Sequence, residues 1–600
     1  MAHTEDVIDA DSARTLDGLF RERIRRTPDR AAYRSFEPET VTWDDTTWRQ
    51  MGREAARWQS ALAGEPLGRG DRVAVLMRNR REWVMFEQAA LGLGLVVVPL
   101  YVEDRPNNLA YILHDSATKL LLAEGSLWGR IHTAVGRVES LQRVVLLGRT
   151  EGAAGGDARV RLARDWLPES AGELVHSGAD AGALATIVYT SGTTGRPKGV
   201  MLSHRNILSN ALAILASYGV YLEDVLLSFL PLSHTFERTV GYYVPVMAGA
   251  TVAYARSVQQ LAEDLQAVRP TVMIAVPRVF EKFHARIQEG LAQKPPAVRA
   301  LFRTAVRVGW RRFQAAQGRA RPGPSALLWP LLDRMVARKV RERLGGRTRI
   351  IVSGGAPLSL PVARTFIGLG LTLVQGYGLT EASPVVSGNP VDDNDPASVG
   401  VALRGVEVRI GPHDELLVRG PGVMLGYWND HAGTAAAIDP EGWLHTGDQA
   451  RIERGHIYIT GRIKEILVLS NGEKIAPTDV ETTLVTDPLF EQAMVVGEGR
   501  PYLGALVVLN SEHWIALARK LGLDPFDKAG LRSERLHRHL LARMGALMAE
   551  FPGYAKIRRL HVQLEPWTVD EALLTPTQKV RRKQVEERHR ADIEAMFQRH

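Results

Sequence analysis

The string YTSGTTGRPKGVMLSH, Tyr189 to His204, gathers the donors of an anion cradle into sixteen residues. Ser191, Thr193 and Thr194 offer hydroxyls. Gly192, Gly195 and Gly199 let backbone N–H groups come close to a charged oxygen. Lys198 adds a mobile point charge. These are the requirements for holding a polyphosphate. The string is not the common P-loop, because Pro197 precedes the lysine and Gly199 stands where a Ser or Thr would hold magnesium. The bland alternative is a Gly/Thr-rich surface turn.

Further strings rich in Gly and in polar or charged residues follow: LPLSHTFER (230–238), SGGAPL (353–358), QGYGLTE (375–381), HTGDQARI (445–452), GRIKEILVLSNGEKIAP (461–477) and LTPTQKVRRK (574–583). The chain is strongly biased toward arginine, with only 12 lysines among its 75 basic residues. Lys198, Lys464, Lys474 and Lys579 all fall inside these strings. Where arginine is the default, a lysine in such a place points to a need for its compact ammonium and flexible stem.

In order, spacing and content these strings resemble the motifs of the adenylate-forming superfamily: acyl-CoA synthetases, luciferase and peptide-synthetase adenylation domains. The likeness runs from about residue 30 to about 585. LPLSHTFER and LTPTQKVRRK are more similar to the long-chain fatty acid–CoA ligase branch than to acetyl-CoA synthetases. The resemblance implies an AMP-forming ligase of fatty acid metabolism. A carboxylate attacks the α-phosphate of ATP, giving an acyl adenylate, and coenzyme A then displaces AMP. It implies ATP and CoA as substrates and Mg²⁺ as the metal. It also implies a large N-terminal domain of two helix-covered sheets plus a small barrel-like element, joined to a mobile lid. A fatty acyl-AMP ligase that hands its adenylate to a carrier protein is the nearest alternative. A membrane-binding protein with a vestigial site is a remote one.

Residue by residue, the resemblance implies the following. Lys579 bridges the carboxylate and the α-phosphate. Glu381, with Thr190 or Ser191, holds Mg²⁺. Thr380 touches the α-phosphate, and Gly192 to Gly195 with Lys198 wrap the phosphates. Tyr377 stacks on adenine beside Gly378, and Gly354, Gly355 and Ala356 line the nucleotide pocket. Asp448, assisted by Arg462, receives the ribose hydroxyls. Lys464 is the hinge of the lid, while Gly472 and Lys474 belong to the loop that serves the thiol step. His234 shapes the acid pocket. Glu237 and Arg238 stand where the amino-acid-activating branch has an Asp, and where some long-chain enzymes have a Trp gate.

The elements that must position these groups are legible in outline. DRVAVLM, KLLLAE, RVVLLG, ATIVYT, TVMIAVP and TRIIVSGG are continuous Val/Ile/Leu runs between helix-length segments. They predict an α/β protein with largely parallel sheets covered on both faces. NILSNALAILASY predicts a helix directly after the phosphate string. GVEVRI, DELLVRG and GHIYIT predict a small antiparallel or barrel-like element. The expected division is 1–461 and 462–600.

Composition limits the partners. There is no cysteine, so disulfides, thiolate metal sites and a cysteine nucleophile are excluded. A thiol in the chemistry must come from outside. The start, MAHTEDVIDAD, lacks the apolar stretch of a secretory signal, and the longest apolar run, Ala89 to Val102, is too short to span a bilayer and reads as a buried strand. A cytoplasmic enzyme is expected. The net charge is +8, but residues 294–347 hold fourteen basic residues against Asp333 and Glu342. That insert carries +12 and leaves −4 for the remainder. It predicts two basic helices around ARPGPS. Two readings stay open: a hairpin packed on the body by its apolar stripe, or contact with an anionic membrane from the inner face. No nucleic-acid signature accompanies it, and nothing in the sequence fixes an oligomeric state.

Overall fold

In the computed structural model, residues 3–150, 157–190, 196–321, 323–549 and 551–598 are described. Two large sheets form the body. One has nine strands. Its parallel centre runs through Leu373–Gly378, Ile350–Ser353, Val272–Ala275, Val225–Ser228, Thr251–Tyr254 and Ala31–Glu37, with antiparallel strands at both edges. The other has eight strands, with Arg72–Leu76, Val96–Pro99, Leu120–Glu124 and Leu184–Thr190 at its centre. All six Val/Ile/Leu runs named above lie in these sheets. The strands are buried on both faces because helices cover both, as a parallel sheet requires.

The Ala89–Val102 run is divided. Its first residues end the helix Arg81–Gly92, Gly94 turns the chain at φ +72°, and only Val96–Pro99 is strand. Apolar continuity hid the boundary, because helix and strand are both fully buried there. The Gly-rich segment after Val399 forms a four-stranded antiparallel sheet from Glu407–Ile410, Glu415–Arg419, Leu444–Glu453 and His456–Arg462.

Side chains between Ile8 and Ile457 form one main core, while those from Leu467 to Val562 form a separate one. The second core lies around the mixed sheet Phe490–Val496, Leu503–Leu509 and Ile557–Gln563.

The basic insert folds as the helix Pro296–Ala316 followed by helical turns from Pro324 to Arg343. Its apolar stripe is packed: Phe302, Ala305, Val308 and Trp310 are buried. At the crossing with the helix Leu360–Gly368, a Cβ on Gly309 would lie 1.8 Å from the Gly368 carbonyl oxygen. Two glycines are thus what lets these backbones touch. Among the described residues no helix is long and apolar enough to cross a membrane.

Candidate active site

One cavity of about 1160 Å³ opens between the body and the C-terminal unit. That exceeds the roughly 300–1,000 Å³ of a site for a single drug-sized ligand. Its walls carry Thr190, Lys198, His234, Gly354, Gly355, Tyr377, Gly378, Thr380, Glu381, Arg462, Lys464 and Lys579.

The hairpin Leu444–Glu453 / His456–Arg462 builds one corner of the site. Its register sets Asp448 opposite Arg462, and the guanidinium Nε donates to Asp448 Oδ1 at 3.0 Å. The Tyr377 hydroxyl donates to Asp448 Oδ2 at 2.6 Å. Burial and that carboxylate push the phenol well above its usual range. Gly447 makes the turn at φ +70°, and its N–H donates to Glu415 Oε1 at 2.9 Å. Asp448 is buried, and both of its oxygens are hydrogen-bonded, as a buried polar group requires.

Thr380 and Glu381 sit on one tight turn after the strand Leu373–Gly378. Thr380 Oγ1 is 3.3 Å from Thr235 Oγ1. Glu381 accepts from the Tyr427 hydroxyl at 2.9 Å, which leaves carboxylate lone pairs free for a cation. Thr190 ends its strand directly opposite Lys198. The lysine is held in place: its Nζ donates to Asp430 Oδ2 at 2.9 Å and lies 4.8 Å from the Tyr427 ring centre. The loop between the two strands, Ser191 to Gly195, lies outside the described residues.

Lys579 enters the cavity from the C-terminal unit on a built turn. Thr575 N donates to the Lys579 carbonyl at 2.8 Å, and Lys579 N donates to Thr575 Oγ1 at 3.0 Å. Gln578 takes φ +64° between them. The side chain stays open to cavity solvent but lies deep among protein atoms. Enclosure first, then the Arg462 cation, push its ammonium below the usual lysine range, against Asp448 and Glu465. His234 feels the same surroundings. Burial and the Lys579 charge push it down to about 4, so it is neutral at pH 7. Its Nδ1 accepts from Phe236 N at 3.1 Å.

Gly354 packs under the Phe236 ring, where a Cβ would come within 2.9 Å. Ala356 is exposed and off the cavity wall. Gly472 and Lys474 are also off the wall; Gly472 occupies a turn at φ +85° with open space around it. The structure therefore brings Lys579 into the cavity with Tyr377 and Arg462 and leaves the Gly472–Lys474 loop outside. Arg238 is a core residue: buried, bonded to Glu87 and to Thr186 Oγ1, with Trp83 against its guanidinium. A gate at that position has no counterpart here.

Tyr427, Asp430 and Glu415 complete the site and carry no motif signature of their own, while Glu465 lies in GRIKEILVLSNGEKIAP without a role assigned from sequence. Tyr427 and Asp430 fall in GYWND, which reads as a turn. Only the N-capping role of Asp430 was available from its type.

Comparison with known proteins agrees with this geometry. The family described as AMP-binding enzyme matches residues 20–428, and the AMP-binding enzyme C-terminal domain matches 464–600. The long-chain-fatty-acid–CoA ligase FadD15 of Mycobacterium tuberculosis is 32% identical over 578 residues, covering 92% of each chain. Fatty acyl-CoA synthetase A of Dictyostelium discoideum is 31% identical, covering 92% of this chain and 85% of that one. The fold is shared with the adenylation domain of a carboxylate reductase from Mycobacterium chelonae at TM-score 0.76 and 23% identity, over 97% of this chain and 91% of that one. With two matched regions that together span most of its length and a relative 32% identical over 92% of it, the chain belongs to the AMP-binding enzyme family.

Proposed function

We propose that this protein is a long-chain fatty acid–CoA ligase of the AMP-forming type. One observation carries the reading. A single cavity joins Tyr377 and Arg462, both bonded to the buried Asp448, the cation Lys579, and an apolar wall from Ile214, Tyr218, Phe236, Val240 and Val385. The long-chain ligases among its relatives support the acid class.

The chemistry follows from the placement. Asp448 accepts both ribose hydroxyls and orients the nucleoside, with Tyr377 against the adenine. Neutral His234 and apolar neighbours place the carboxylate without adding a competing charge. As the carboxylate meets the α-phosphate, negative charge gathers on shared oxygens. Lys579, already fixed on its turn, stabilises that charge without reorganising. Glu381 and Thr190 offer the oxygen donors that Mg²⁺ prefers; when bound, the ion neutralises phosphate charge. The second step needs a thiol, and a chain without cysteine takes it from CoA. We place the division at 461/462, with Lys464 as the hinge that exchanges Lys579 for the Gly472–Lys474 loop.

The test is thioester formation from palmitate, ATP and CoA by the purified chain. Adenylate without thioester would favour the carrier-dependent alternative. No pyrophosphate release with any acid from C2 to C24 would overturn the proposal.

A second reading concerns the insert, where the packed stripe leaves another surface free. Leu327 (84% exposed), Leu328, Leu331 and Met335 project beside Arg321, Arg334, Arg338, Lys339 and Arg343, all exposed. Three leucines at about 1.5–3 kcal/mol each on burial, with about 1 kcal/mol per basic residue near anionic lipid, suit peripheral docking on an anionic bilayer. Flotation with phosphatidylserine-containing vesicles should fall by at least about tenfold for Leu327→Ser/Leu331→Ser, and fall with salt. Equal flotation of the variant would overturn it.

A further inference from the structure

We infer that His561, His589 and Asp592 form a divalent transition-metal site, zinc by preference, that clamps the base of the segment carrying Lys579. His561 lies on the strand Ile557–Gln563, His589 joins the helices Arg582–Arg588 and Arg590–Phe597, and Asp592 is in the first turn of the latter. Elements far apart in sequence thus bring their ligand atoms within 4.8 Å of one another.

The carboxylate of Asp592 lies between the two rings, with one oxygen toward each. Asp592 Oδ1 is 3.4 Å from His561 Nδ1, and Oδ2 is 3.3 Å from His589 Nδ1. A charge-assisted hydrogen bond closes to about 2.7–2.9 Å. Ligand atoms about 2.0–2.1 Å from one tetrahedral zinc stand about 3.3–3.4 Å apart, the spacing of each Asp592 oxygen from its own histidine. The two imidazole ring centres lie 5.5 Å apart, with their planes tilted by 48°. His589 Nε2 is buried without a hydrogen-bond partner among the described residues.

Two imidazoles and a carboxylate, with water as the fourth ligand, suit Zn²⁺ or Co²⁺ better than Mg²⁺ or Ca²⁺, which want all-oxygen shells. Arg532 lies close enough to His561 to oppose a cation, so micromolar affinity is expected rather than nanomolar. The chain between the ligands, 564–588, contains the turn that presents Lys579. An ion here would tie both ends of that segment together. The site lies outside the cavity wall, so its role would be to hold the lysine's platform.

The test uses the full-length, untagged chain stripped with chelator. Equilibrium dialysis against Zn²⁺, and Co²⁺ absorption in the visible, should report one site per chain. Zn²⁺ should also slow amide exchange across 564–588. The chain has 17 histidines, so weak adventitious binding is expected and the variants decide. His561→Gln and the surface change Asp592→Asn should each weaken the site by at least about tenfold, with metal-free melting unchanged for Asp592→Asn. Binding of wild type no tighter than about 1 mM, binding unchanged in both variants, or exchange across 564–588 unaffected by bound metal would overturn the inference. None of these readouts involves ATP, acid or CoA, so the result is independent of the ligase reading.

Discussion

Glu237 offers a sharp quantitative test, because its carboxyl is buried in the wall of the cavity's own helix. It begins the π-helical turn Glu237–Tyr243, which also carries the wall residue Val240. Neither carboxyl oxygen finds a donor in hydrogen-bonding geometry among the described residues. Burial pushes the group up to about 8, with only the Ser228 hydroxyl nearby to oppose it. The folded value is raised, so the folded state holds the proton that the unfolded state loses near 4.5. The stability contributed is fully present below that value and is lost as pH rises to about 8. At about 1.4 kcal/mol per unit the ceiling on the loss is close to 5 kcal/mol. Glu237→Gln keeps the shape and cannot ionise. The variant should match wild type within about 1 kcal/mol near pH 5 and exceed it by several kcal/mol near pH 8 to 9. Denaturant unfolding of both proteins across that range, read as a difference so that other titrating groups cancel, measures it. A difference that stays flat with pH would refute the burial argument. The turn also carries Val240, so wild type alone should show a rising KM for long acids above about pH 8.

Lys579→Ala should lower pyrophosphate release by at least about 100-fold, the scale for losing one preorganised oxyanion-type contact. It should spare thioester formation from preformed acyl adenylate, and equal loss in both half-reactions would contradict its placement. Asp448→Ala removes the acceptor from Tyr377, Arg462 and the ribose; KM for ATP should rise about 10- to 100-fold, as for loss of a charged hydrogen-bonding partner, by steady-state kinetics. Gly309→Val drives a side chain into the Gly368 carbonyl; a loss of about 2 kcal/mol or more should show as a lower unfolding midpoint, with residual kcat unchanged. Lys474→Ala lies off the cavity wall and should leave pyrophosphate release intact while slowing transfer to CoA.

The sheets were legible because strands buried on both faces must be continuously apolar, and ATIVYT or TVMIAVP can be little else. The Ala89–Val102 run shows where this reasoning ends. A buried helix and the buried strand after it share one composition, and only Gly94 marks the join. The insert repeats the point: one stripe of apolar residues is packed, and in LLWPLL Leu332 is buried while Leu327, Leu328 and Leu331 are exposed, though periodicity treats them alike. The site was legible to the extent that a motif holds its own partners. Asp448 and Arg462 come from neighbouring strings and meet through a hairpin register. Lys198 with Asp430, Glu381 with Tyr427, and Thr380 with Thr235 meet across long stretches of chain that no spacing connects. The lysine shows what that difference means for mechanism. Its turn is local and written in TPTQK, where Thr575 caps the peptide that Lys579 presents. Its position is not local, because it reaches Asp448 and Arg462 only when the C-terminal unit lies against the body. A charge placed by docking can be withdrawn by undocking, whereas one fixed in the body's sheets cannot. In a two-step reaction that first joins the acid to the α-phosphate with loss of pyrophosphate and then admits a thiol to the acyl carbon beside it, a removable cation belongs on the smaller unit, which carries Lys579.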